Sequence, residues 1–314
     1  MLKIKAKSAL KKFIQKVRRS NQEVDALYKV LYDQVHRLDQ SLEITPKCTL
    51  EAFSQQWTNY PKGEYLLSDP WFRENVDTIL SQQEILLKKE WFKGKKILDA
   101  GCGNGRWAYG FSKLGADVTC VDANLSALKA TESELAGFSN QRRFIHTPLE
   151  ELDQHVAPGS FDLAFSWGVL HHCPSFSKSL KNVAATVKEG GVLYLYLYGR
   201  ESYSMDQDIE LFKKRVVYNT LLDHQQRYQF LLDEARGDEN KVHNVHDVYA
   251  PLINRRLEYD QIEKMLRELG FSQIFRTIDY TELFIRAIKG SADYSAYTLQ
   301  PKKPPYWFQG KHLD

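Results

Sequence analysis

Short apolar stretches alternate with helical periods along the middle of the chain. Lys96-Ile-Leu98 ends a hydrophobic run, and Ala116-Asp-Val-Thr-Cys-Val121 alternates apolar and polar residues at period two. Arg143-Phe-Ile-His146 and Phe161-Asp-Leu-Ala-Phe-Ser166 read as a third and a fourth strand, and Val192-Leu-Tyr-Leu-Tyr-Leu-Tyr198 as an apolar fifth. Between them, 106–114 and 177–188 carry helical spacing, the second closed by a Glu189-Gly-Gly191 turn. A further helix over 259–270 leads into strand structure over 271–289. Strands alternating with helices at this spacing predict a doubly wound α/β sheet.

The flanks have a different texture. Leu2, Ala6, Ala9, Leu10, Phe13, Ile14 and Val17 fall at helical spacing, and Val24, Leu27, Tyr28, Leu31, Val35 and Leu38 mark a second amphipathic helix. Both are read as capping the core or supporting a homo-oligomer. Between Phe53 and Phe72 aromatic residues crowd a segment broken by Pro61, Gly63 and Pro70. The run 204–236 reads as one polar, helix-like stretch with apolar residues on one face. The organisation expected is a helical N-terminal extension with a lid (1–90), a core (91–200 and 260–290), a helical insertion (201–259) and an extended tail (291–314).

Candidate chemistry begins where the first strand ends, at Asp99-Ala-Gly-Cys-Gly-Asn-Gly105. Glycines let a backbone turn sharply and approach a ligand with no Cβ in the way, and the following helix N-terminus favours an anionic group. Arg106 stands where a dinucleotide fingerprint needs its third glycine, which argues against NAD. Asp122 closes the second strand, placed to accept both hydroxyls of a ribose.

Composition adds bounds. The 314 residues carry a net charge of +3, so there is no polyanion signal beyond the eight Lys/Arg of residues 1–20, and nucleic acid is not the expected partner. Cys48, Cys102, Cys120 and Cys173 show neither metal-like pairing nor disulfide-like clustering, which fits a reducing, cytoplasmic location. No apolar run reaches membrane-spanning length.

On Ile97-Leu-Asp-Ala-Gly-Cys-Gly-Asn-Gly105, Val121-Asp122, Phe161-Asp-Leu-Ala-Phe-Ser-Trp-Gly-Val-Leu-His-His172 and Lys188-Glu-Gly-Gly191, the chain resembles the class I S-adenosylmethionine-dependent methyltransferases. The resemblance covers roughly residues 91–200, with a return near 266–289. It implies a Rossmann-like, seven-stranded sheet of the methyltransferase type, with S-adenosyl-L-methionine as cofactor and S-adenosyl-L-homocysteine as product. It places the methionine moiety on Asp99 and the loop Gly101, Cys102, Gly103 and Gly105, and the ribose on Asp122. Adenine would lie on Ala123 and be bordered by Thr147 and Leu149, with Ser166 between cofactor and substrate. Pro148 has no N–H to offer the ring, a departure from the family pattern.

For the acceptor, the segment before the glycine loop offers Trp57, Tyr60 and Tyr65, the fourth strand Trp167, and the insertion Tyr249. A hydroxyl acceptor needs a base, and His172, His243 and His246 are the candidates. The spacing His243, His246, Asp247 invites a metal, but without a fourth ligand no metal site is assigned. The reading reached is a methyltransferase acting on an O or N atom of a small-molecule metabolite, a specialised metabolite or a sugar. Its alternatives are a tRNA-modifying methyl- or carboxymethyltransferase and a non-catalytic adenosylmethionine-binding module.

Overall fold

A computed structural model describes residues 44–202 and 204–301. Both amphipathic helices expected before residue 40 and the tail from residue 302 lie outside the described residues. Strands β1 (Lys96–Ala100), β2 (Asp117–Asp122), β3 (Arg142–His146), β4 (Phe161–Trp167) and β5 (Val187–Leu197) run parallel. With β6 (Phe271–Arg276) and the antiparallel β7 (Leu283–Lys289) they form one seven-stranded sheet in the order β3-β2-β1-β4-β5-β7-β6. The order reverses between β1 and β4, and ligands bind outside the strand C-termini at such a switch point.

Alternation along the strands sends successive side chains to opposite layers. On one face Leu98, Ala100, Ala164 and Leu195 pack with Leu180 and Val183 of helix α5 (Phe176–Thr186) and with Ile262 and Leu266 of α9 (Tyr259–Glu268). On the other, Ile97, Val118, Phe165 and Tyr194 pack with Val76 of α2 (Pro70–Ile79), Phe111 of α3 (Arg106–Lys113) and Leu128 of α4 (Leu125–Leu135). Each fully buried aliphatic or aromatic side chain contributes about 1.5–3 kcal/mol to this core. Helix starts follow local chemistry. Asp69 accepts from Trp71 N at 3.1 Å with Pro70 at the first helical position of α2, and Asn124 accepts from Ser126 N and Ala127 N at the start of α4.

Two features differ from the expectation. Glu189-Gly-Gly191 is no turn but a bulge inside β5, where the β4–β5 register shifts between Phe161 and Leu163. Gly190 takes φ +74°, and a Cβ on Gly191 would lie 2.9 Å from the Lys188 carbonyl oxygen. The run 204–236 is two helices, α6 (Met205–Thr220) and α7 (His224–Glu234). They part before Asp223, whose side chain caps α7 by accepting from Gln226 N. Among the described residues before the sheet, α1 (Ile44–Asn59), Tyr60 and Glu64 pack on the insertion, and α2 packs in the sheet's own core.

Helices α6, α7 and α8 (Val242–Tyr249) form their own small core around Tyr218, Leu231, Val242 and Tyr249, joined by Ala52 of α1. Gln56 Nε2 donates to the His243 carbonyl at 2.8 Å, and Ile253 N donates to Thr49 Oγ1 at 3.1 Å, tying α1 to the insertion. Together α1 and α8 roof the C-terminal edge of the sheet.

Candidate functional site

Below that roof is a cavity of about 750 Å³, within the range of small-molecule and cofactor sites. One wall is the loop between β1 and α3. Gly101, Gly103 and Gly105 all have positive φ, at +84°, +55° and +86°. A Cβ on Gly101 would sit 2.4 Å from Val169 Cγ2, and one on Gly103 would sit 2.7 Å from the Trp57 indole. Thr131 of α4 fixes the loop from behind, donating to the Gly103 carbonyl at 2.8 Å.

Asp122 completes this wall. Its Oδ2 accepts from Gly103 N at 2.9 Å and its Oδ1 from Asn124 N at 2.7 Å. A carboxylate offers about four acceptor positions, more than the backbone N–H groups of Gly103, Ala123 and Asn124 use. Burial raises the Asp122 carboxyl, opposed by those backbone N–H groups. Beneath the loop, Asp99 is buried, accepts from the Ala108 N–H, and keeps Oδ2 without a partner. Burial first, and the charge of Asp122 second, push its carboxyl up to about 7.

Of the residues expected to hold cofactor, Gly101, Cys102, Gly103, Asp122, Ala123 and Leu149 line the cavity. Four stand behind it. Asp99 lies under the loop, Gly105 caps α3, Thr147 N donates to the Asp122 carbonyl, and Ser166 Oγ bridges β4 to the Ala100 carbonyl at 3.0 Å.

The cavity is also lined by Trp57, Tyr65, Trp167, His172 and His243, all expected at the acceptor end. Tyr60, His246 and Tyr249, expected with them, lie outside the cavity. The reason is helical period: His243 and Asp247, four apart, share the cavity face of α8, whereas Val242, His246 and Tyr249 share the face turned to α6 and α7. His246 is buried near the rings of Tyr60 and Tyr218, with neither ring nitrogen hydrogen-bonded. Burial holds it down to about 3. Tyr249 donates its hydroxyl to Glu234 at 2.7 Å, and the Tyr60 ring stacks on Tyr228.

The two histidines in the cavity have defined ring orientations. His243 Nδ1 lies 2.7 Å from the Tyr60 carbonyl and His172 Nδ1 lies 2.6 Å from the Ile253 carbonyl. Burial lowers both, His243 to about 4; for His172, the Asp247 carboxylate and the Ile253 bond work against it.

Several lining residues were not anticipated as site residues. Arg106 stacks its guanidinium over Trp167 at 4.2 Å and donates to the Tyr65 carbonyl at 3.2 Å. Tyr196 and Tyr198 project from the end of β5, and Phe284 and Glu282 come from β7 and the residue before it. The two tyrosines were legible: at period two, Tyr194, Tyr196 and Tyr198 share one strand face, and the last two stand at its C-terminal end. Asp247 accepts the Tyr198 hydroxyl. Among the described residues no group of three or more His, Cys, Asp or Glu is placed to hold a metal ion.

Residues 98–195 match the model of a methyltransferase domain family. Over these residues the chain is similar to that domain family, the one to which the sequence resemblance pointed. It is similar to the ubiquinone biosynthesis O-methyltransferase of Psychrobacter cryohalolentis, at 31% identity over 43% of this chain and 53% of that protein. The malonyl-[acyl-carrier protein] O-methyltransferase of Buchnera aphidicola is 25% identical over 75% of this chain and 79% of that protein. The magnesium protoporphyrin IX methyltransferase of Synechocystis PCC 6803, solved with bound SAH, aligns with 75% of this chain and 94% of its own, at 17% identity and a TM-score of 0.45. The chain spans about half the length of the ubiquinone-pathway relatives it matches.

Proposed function

We propose that this protein transfers a methyl group from S-adenosylmethionine to an oxygen atom of a small-molecule acceptor. The observation that carries the reading is the single cavity that joins the glycine loop and Asp122 to a wall of aromatic and histidine side chains. S-adenosylmethionine, when bound, supplies an electrophilic methyl carbon on a cationic sulfur. The residues fit that group. Asp122 retains acceptor positions for a ribose, and the unpartnered Asp99 Oδ2 sits beneath the loop that would take the methionine end. Arg106 stands beside the same loop as a counter-charge for a carboxylate. Trp57 lines the same cavity, and a cation over such a ring gains about 0.5–2 kcal/mol.

The site aligns its reactants and excludes water, and holding them 3–3.5 Å apart supplies much of the rate. Oxygen as the acceptor atom is supported by the names of the two relatives, both O-methyltransferases. The four free cysteines support a reducing, cytoplasmic location, and no helix among the described residues is long and apolar enough to cross a membrane. Labelled S-adenosylmethionine offered with a metabolite extract and, separately, with tRNA tests the reading. Label should enter the metabolite pool. Label in tRNA alone selects the tRNA-modifying alternative, and tight cofactor binding with no transfer selects the non-catalytic module.

A further inference from the structure

Residues 1–20 hold eight Lys and Arg and no Asp or Glu. The whole chain carries +3, so subtracting those eight leaves −5 on all the rest. Positive charge gathered in one short segment of an otherwise acidic chain points to an anionic partner. On a period of 3.6 residues, Leu2, Ala6, Leu10, Phe13, Ile14 and Val17 fall within one arc about 120° wide. Lys3 and Lys7 stand at one border of that arc and Lys16 at the other, with Lys11, Lys12 and Arg19 on the far side. Apolar residues on one side and cations along its flanks and back suit a segment that lies in a lipid headgroup layer, where long Lys stems reach the phosphates.

The chain from these residues enters the described structure at Ile44, the start of α1. Lys47 and Leu50, in the first two turns of α1, line the cavity and are also exposed, which puts them at its opening. The other exposed lining residues are Pro148, Pro174, Asn244 and Tyr280. The opening therefore presents apolar groups, an amide and a cation, and none of its exposed lining residues is acidic. The lining carboxylates Asp122, Glu150, Asp247 and Glu282 are partly buried, further in. Glu51, 4.0 Å from Lys47, is exposed but does not line the cavity. An opening of this make-up can approach an anionic surface, where a ring of carboxylates would be repelled.

We propose that residues 1–20 bind the surface of an anionic phospholipid bilayer, and that the cavity opening around Leu50 and Tyr280 faces the same surface. The apolar arc enters the boundary between headgroups and acyl chains while the cations meet lipid phosphates, so the segment lies on the bilayer and does not span it. Three observations agree on this partner: the clustered charge, the apolar arc, and an opening free of surface carboxylates where the chain joins α1. An RNA-binding segment needs the cations but has no use for the arc. A segment packed on the protein's own acidic body would bury the arc and leave nothing for lipid. Lipid binding is independent of the methyl-transfer reading and stands or falls without it.

The test sediments the full chain with vesicles of phosphatidylcholine, alone or mixed two to one with phosphatidylglycerol. Partition should be at least about tenfold higher on the mixed vesicles, and should fall at least about tenfold in 1 M sodium chloride, where the screening length shrinks to about 3 Å. Leu10→Ser with Phe13→Ser removes much of the arc and keeps every charge. Lys5→Gln with Lys12→Gln and Lys16→Gln keeps the arc and removes charge. Each set should lower partition at least about tenfold. Leu50→Asp, which puts an anion at the opening, should lower it at least about threefold. Urea midpoints should match the parent in all three, showing that the fold is intact. Equal partition on both vesicle types overturns the proposal, as does parent-like partition of the double serine variant or of Leu50→Asp. Binding of bulk tRNA that is tighter than binding of mixed vesicles at physiological salt, and indifferent to the two serines, assigns the cations to RNA and overturns it. A lowered urea midpoint in the double serine variant, with no vesicle binding by the parent, places the arc against the protein itself and overturns it too.

Discussion

The wall proposed for the cofactor and the wall proposed for the acceptor are made in different ways. The first comes from a short span, 99–123, and its geometry is set by backbone: glycines at positive φ and main-chain N–H groups donating to Asp122. The second gathers side chains from α1, β5, α8 and the start of β7, which share no local sequence. Their electrostatics are opposite as well. Burial raises Asp99 and Asp122 on the cofactor side and lowers His171, His172, His243 and His246 on the acceptor side. Burial thus opposes loss of a proton by the two carboxyls and gain of one by the histidines.

The largest effect should come from the backbone-built wall. Gly101→Val puts a β-branched residue at φ +84° and a Cβ 2.4 Å from Val169. Left-handed strain costs about 1–2 kcal/mol and overpacking about 1–3 kcal/mol more. S-adenosylmethionine affinity, read by calorimetry on folded protein, should fall at least about 100-fold. An unchanged affinity would remove the loop from the cofactor site. Next in size is Asp122→Asn, which keeps the shape and removes the charge that two backbone N–H groups and a ribose address. Hydrogen bonds to a charged group contribute about 1.5–3 kcal/mol, so affinity should drop roughly 10- to 150-fold. Tight NADH binding by the parent chain would instead break the ribose assignment to this cofactor.

This division also governs what the sequence made legible. Asp99-Ala-Gly-Cys-Gly-Asn-Gly105 and Asp122 were readable because the chemistry is local: a strand, a turn that needs glycine, a helix start, and a carboxylate at the next strand's end. The pairing of His172 with Asp247 joins residues that only the folded insertion brings together, and no spacing announces it. His243 and His246 looked equivalent until α8 formed and its period sent them to opposite faces. Arg106 was visible only as a missing glycine, because its stacking on Trp167 depends on how β4 ends. Tyr196 and Tyr198 could have been found from strand alternation alone, since only their register to the sheet edge was needed.

The smallest effect at neutral pH should come from His246. It lies on the acceptor side of the molecule but outside the cavity, with neither nitrogen hydrogen-bonded. His246→Phe replaces an unsatisfied ring with an apolar one of similar size. At pH 8 cofactor affinity and turnover should be unchanged, and stability to urea equal or higher by up to about 1 kcal/mol. Acid should separate variant from parent. An unfolded histidine titrates near 6.5, whereas burial holds His246 at about 3 in the folded chain. Between those values the unfolded state binds a proton that the folded state refuses, so this group's stability contribution, full above about pH 6.5, is lost as pH falls. His243, held at about 4, works in the same direction; Asp99, raised to about 7, works against it by binding a proton on folding. Removing His246 should lessen the acid loss by about 1.4 kcal/mol for each pH unit between 6 and 4. Identical urea midpoints for parent and variant at pH 5 would mean that His246 is charged or solvated in the folded chain. The contrast between the two walls would then rest on the carboxylates alone.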